Sequence, residues 1–154
     1  MTTRTSSGLA PILLGGLIAG TFDITYACIF SYVRRGTRPA VILQSVASGV
    51  FGQSAFTGGL KMAAMGLLFH FLIATIAAAV YYLASRKIRI LITQAVVCGI
   101  LFGVCVYLVM NLVVVPLSAA GGRPSFPWPI LINGLLIHML GVGLPSSLFA
   151  RAVS

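Results

Sequence analysis

Apolar residues run along this chain in four long blocks, at about residues 9–33, 60–84, 90–117 and 129–150. Each reaches the roughly 20 apolar residues that a helix needs to cross a bilayer core. The pattern predicts an all-α integral membrane protein, one domain over residues 1–154 with four transmembrane helices. The first block is too long for the apolar part of a signal peptide, contains Asp23 and is followed by no clean small-x-small cleavage site, so it is expected to stay as a span.

The breaks between blocks carry the punctuation. Arg34-Arg35 closes the first, Ser85-Arg86-Lys87-Ile88-Arg89 follows the second, and Pro116 is expected to end or kink the third. Trp128 at the mouth of the fourth, and Tyr81 and Tyr82 near the end of the second, suit the headgroup region.

Residues 39–56, PAVILQSVASGVFGQSAF, read differently. Gln44, Ser48 and Gly52, and likewise Ser45, Gly49 and Gln53, recur at the four-residue step of a helix stripe. This is an amphipathic helix, begun by Pro39 in its first turn and stopped at Gly58-Gly59. Its polarity disfavours insertion, so an interfacial or re-entrant helix is expected, with a five-span arrangement as the alternative.

Composition excludes whole classes. The 154 residues are 59% hydrophobic and only 7% charged, yet carry ten Lys or Arg against one Asp or Glu, a formal net charge of +9. A nucleic-acid binder would need a polar surface on which to carry that excess, and there is almost none here. The lipid bilayer is the expected partner, with a second copy or a membrane-complex partner as further options. If residues 39–56 do not cross, five basic residues fall on each side and the charge rule for orientation gives a tie. Cys28, Cys98 and Cys105 lie inside apolar runs and suggest no disulfide framework.

Three ionisable residues fall inside the spans: Asp23, His70 and His138. Counted from one membrane face in the four-span arrangement, each lies about 14 Å deep, near the midplane. Each also lies on a stripe of small residues: Gly16, Gly20 and Ala27 with Asp23; Gly66 and Ala77 with His70; Gly134 and Gly141 with His138. Small residues mark close helix approach, so all three are expected to point into the bundle, with Tyr26 and Asn111 beside them.

A midplane carboxylate costs about 2.5–3.5 kcal/mol to insert and normally has a partner, for which histidine is the natural choice. Two readings stay open. An Asp/His centre can pass protons or a small solute, or the same groups are hydrogen-bond glue in a non-catalytic structural or accessory subunit. A haem or metal at His70 and His138 is a minor third reading, and no cofactor is expected. No enzyme is expected, because one acid allows no carboxylate pair and no phosphate loop, GxSxG, HExxH or CxxC occurs.

The segments GGLIAGTFDITYA, ILQSVASGVFG, HFLIATIAAAVYYLASRK, YLVMNLVVVPLSA and LINGLLIHMLGVGLP resemble a family of small bacterial inner-membrane proteins whose function is not settled. The resemblance runs over most of the chain. It implies a four-helix protein of the bacterial inner membrane and brings no reaction, substrate or catalytic residue with it.

Overall fold

In hydrocarbon a backbone must satisfy its own polar groups, and a continuous apolar run does so by coiling. The structure, a computed structural model that describes residues 9–121 and 127–153, is helical in this way and has no strand among the described residues. Arg4 and Arg123, which enter the charge count above, lie outside the described residues.

Helix α1 (Leu9–Arg35) is followed by the short α2 (Pro39–Phe51), a 3-10 turn (Gly52–Phe56) and α3 (Gly59–Ser85). After the single turn α4 (Ile90–Thr93), the third span is built from α5 (Ala95–Val109), a π segment (Met110–Val114) and α6 (Val115–Leu117). The fourth is built from α7 (Trp128–Ile137), a second π segment (His138–Gly143) and α8 (Leu144–Ala152). Four of the resulting stretches are long and apolar enough to cross a membrane: Leu9–Arg35, Gly59–Ser85, Ala95–Leu117 and Trp128–Ala152.

The third span starts at Ala95 rather than at Ile90, because the backbone turns at Gln94 (φ −113°, ψ 43°). Residues 90–93 instead dock on the end of α3, where the Tyr81 hydroxyl donates to the Leu91 carbonyl at 2.8 Å. The two π segments share a cause. Each ends two residues before a proline, and its closing π-type bond runs from Val115 N–H to Met110 O in one case and from Leu144 N–H to Met139 O in the other. Pro116 and Pro145 have no N–H to give and would press their rings on the carbonyl four residues back, so the turn before each one widens. The third helix ends at Leu117, where the sequence pattern placed its end, and the kink expected from Pro116 is the π turn before it.

Packing fixes the topology. Gly15 meets Ala78, Gly16 meets Thr75 and Gly20 meets Phe71, which makes α1 and α3 antiparallel. Gly99 meets Ser147 and Gly103 meets Met139, so the third and fourth spans are antiparallel too. Arg35 and Gly59 then share one face, and the segment between them enters and leaves on that face. Its 13-residue helix is only about 20 Å long, too short to span. The five-span alternative falls away.

Helix α2 is held against the spans by backbone. A Cβ on Gly66 of α3 would run into the Leu43 carbonyl, so only glycine allows this crossing. Gln44 Nε2 donates to Gly59 O at 2.9 Å, and Ala119 N–H donates to Gly49 O at 2.9 Å. Gln44, Ala47 and Ser48 are its buried residues, so part of the polar stripe read from the sequence faces protein rather than water.

The interior is made of small residues, among them Ala19, Ala63, Ala78, Ala95 and Ala150, while Leu17, Phe22, Leu68, Leu72, Leu101 and Leu140 point outward. That inversion of a water-soluble core is what lipid contact requires, since helix association in a bilayer relies on close packing. The described basic residues divide evenly: Arg34, Arg35, Arg38 and Lys61 near one face, Arg86, Lys87, Arg89 and Arg151 near the other.

Candidate functional site: an aspartate between two histidines

Asp23 comes from the middle of α1, His70 from the middle of α3, and His138 opens the second π segment. The antiparallel packing that places Gly20 against Phe71 brings the first two to one level. Gly103 brings in the third, because a Cβ there would strike the His138 carbonyl and the Met139 Cα. Any larger residue at 103 would push the fourth span, and His138 with it, away from the centre.

The carboxylate then stands between two imidazoles. Asp23 Oδ2 lies 3.9 Å from His70 Nε2, and Asp23 Oδ1 lies 3.7 Å from His138 Nδ1. These are ion-pair separations, longer than a direct hydrogen bond. All three side chains are largely buried, with Asp23 only 18% exposed. The same two nitrogens make the close contacts: His70 Nε2 is 2.9 Å from Gly20 O, and His138 Nδ1 is 2.9 Å from Gly134 O. A carbonyl only accepts, so each of these nitrogens carries a proton and donates it to the backbone, with the Asp23 carboxylate alongside. Phe71 and Tyr107 set the rings edge-on, at 5.8 Å from His70 and 5.3 Å from His138.

Two cavities meet at this carboxylate. One, about 510 Å³, lies between α1, α2, α3 and the third and fourth spans, and includes Asp23, His70, His138, Asn111 and Ser45 in its lining. The other, about 390 Å³, is a groove between α1 and α7 that runs from Arg34, Arg35 and Thr37 inward to Asp23 and His138. Tyr26, Phe30 and Arg34 follow one another at four-residue steps along this groove. The Tyr26 and Phe30 rings stack at 5.9 Å, and the Arg34 guanidinium lies 5.9 Å from the Phe30 ring centre.

Neither lining reaches beyond Ala77 on α3 or Val142 on the fourth span, and neither includes a residue of α1 before Asp23. Past those points the helices close on each other, with Gly15 against Ala78 and Gly143 against the Gly99 backbone. Among the described residues, the centre is thus open toward the Arg34 face and closed toward the Ser85 face.

Of the residues singled out from sequence, Asp23, His70 and His138 come together as one cluster. Tyr26 lies in the groove instead, where its hydroxyl donates to Asn133 Oδ1. Asn111 lines the larger cavity, but its amide donates to Tyr107 O of its own helix at 2.9 Å. Asn133 was missed, although it was legible as the one polar side chain in the run ILINGLLI. It bridges Tyr26 and the Pro129 carbonyl, the latter at 2.7 Å.

Among the described residues, no three His, Cys, Asp or Glu side chains are arranged to hold a metal ion. The nitrogens that face Asp23 already donate to carbonyls, and the carboxylate occupies the space between the rings.

No protein-family model, no curated protein and no solved structure matches this chain. The resemblance drawn from the sequence rests on the quoted segments alone, and the shared ground between it and the structure is a small multi-pass membrane protein.

Proposed function

We propose that the chain moves protons or a small solute across the membrane past Asp23, His70 and His138, entering through the groove between α1 and α7. The observation that carries this reading is the carboxylate between two imidazoles at mid-membrane, at the meeting point of two cavities open to one side. An intramembrane acid is expensive to keep, and one that faces a cavity is a candidate for a pathway.

The chemistry fits proton passage. An imidazole can take a proton on its outer ring nitrogen and release the one on the nitrogen beside Asp23, giving up that nitrogen's bond to the carbonyl, and a ring flip or tautomer exchange then restores the starting state. The 3.7–3.9 Å gaps are too long for direct hydrogen bonds, so exchange with Asp23 needs a small shift of a ring or a mediating hydroxyl. The close packing at Gly15 and Gly143 acts as the closed gate, so a full cycle requires that packing to open.

This reading assigns the chain no bond-making chemistry. The segment resemblance supports a place in the bacterial inner membrane. Flux through proteoliposomes carrying the chain or its Asp23→Asn variant tests the proposal: loss of flux in the variant supports it, and equal flux in both overturns it.

A further inference from the structure

The turn after α3 carries three cations in four positions, Arg86, Lys87 and Arg89, and the chain's one side-chain carboxylate, Asp23, sits at mid-membrane between two histidines. No acidic side chain of this protein can neutralise that turn. The turn is also built rather than loose. Arg86 N–H donates to Tyr82 O at 3.3 Å, and Lys87 and Ile88 N–H donate to Ala84 O at 3.0 and 2.9 Å. The Arg86 side chain is fixed on a buried neighbour, its Nη1 donating to the Tyr82 hydroxyl at 3.3 Å with the guanidinium 6.0 Å from the ring centre.

These cations line a concave surface of about 600 Å³ whose wall is completed by Ser85, Thr93 and the apolar Ile92 and Val153. It lies at the end of a span, where headgroups meet acyl chains, and on the face opposite the groove to Asp23. A ligand for it carries a phosphate against the cations and hydrocarbon against Ile92 and Val153.

We propose that this surface binds the phosphate of an anionic phospholipid headgroup. Arg86 supplies a positioned, planar fork for phosphate oxygens, Lys87 and Arg89 supply point charges, and the apolar wall takes the first methylenes of the lipid. A zwitterionic headgroup brings its own cation to the site and binds less well.

Native mass spectrometry of the detergent-purified chain, with phosphatidylglycerol and phosphatidylcholine offered at equal concentration, tests the assignment. The expected result is retention of phosphatidylglycerol by about tenfold over phosphatidylcholine. Combined Arg86→Gln, Lys87→Gln and Arg89→Gln should remove that preference, whereas combined Arg34→Gln, Arg35→Gln and Arg38→Gln on the other face should keep it. Should the first combination not yield folded protein, Lys87→Gln alone should lower the preference by about threefold. A preference unchanged by the 86/87/89 substitutions overturns the proposal, as does full displacement of phosphatidylglycerol by inorganic phosphate, which would assign the surface to a free anion.

Discussion

Asp23 Oδ1 and His138 Nδ1 face each other at 3.7 Å between the middle of α1 and the start of a π segment in the fourth span. The nitrogen's hydrogen bond goes to the Gly134 carbonyl, so the carboxylate is held near the imidazole without being bonded to it. Removing the charge therefore costs no hydrogen bond of the fold, which separates an acid that serves the fold from one that serves exchange.

That distinction has a stability consequence. Asp23→Asn removes the charge but breaks no hydrogen bond seen in the structure, so unfolding in mixed detergent should shift by less than about 1 kcal/mol. A loss of several kcal/mol would mean that Asp23 serves the fold, and would favour a structural subunit.

The re-entry of α2 on its own side predicts a labelling pattern. In a background without Cys28, Cys98 and Cys105, single cysteines at Thr37 and Thr57 should react with a membrane-impermeant maleimide from one and the same side. A cysteine at Lys87 should react only from the other. Opposite sidedness of positions 37 and 57 would restore the five-span arrangement.

Close backbone approach predicts which glycines tolerate growth. Gly66→Val and Gly103→Leu should each destabilise by at least about 1–3 kcal/mol, since the obstacle is backbone and cannot turn aside. Gly49→Ala, whose Cβ would sit 3.8 Å from Ser118, should be nearly neutral. Chemical unfolding of the three variants side by side checks this, and similar losses in all three would contradict the packing described.

The π turn before Pro145 sets the angle at which His138 meets Asp23. Pro145→Ala restores the missing donor, and relaxation to α geometry would rotate His138 against α8 by up to about 100°. Flux should fall while unfolding stability holds or rises. Wild-type flux in a variant of raised stability would show that the π turn is incidental.

Much of this was written in the sequence, for a physical reason. Depth and helix face follow from counting residues along a regular helix, so the residue count alone puts Asp23, His70 and His138 at one level on small-lined faces. What counting along one helix cannot supply is the rotation between helices and the local departures from regularity. Tyr26 shares the groove with Asp23 but pairs with Asn133, and Asn111 turns back on its own helix, because both outcomes depend on how α1, α7 and the third span are rotated. The break at Gln94 coincides with the polar pair Thr93-Gln94, which a reading of residues 90–117 as one apolar block passes over, and the kink expected at Pro116 takes the form of a π turn that residue counting does not show.

Proton or solute flux in proteoliposomes, measured for the wild-type chain, Asp23→Asn and protein-free vesicles, is the decisive experiment. Flux in the wild type should rise with a pH gradient, and flux in Asp23→Asn should fall to the level of protein-free vesicles although the variant folds. Undiminished flux in Asp23→Asn, or no flux above empty vesicles in the wild type for protons and small solutes alike, would contradict it.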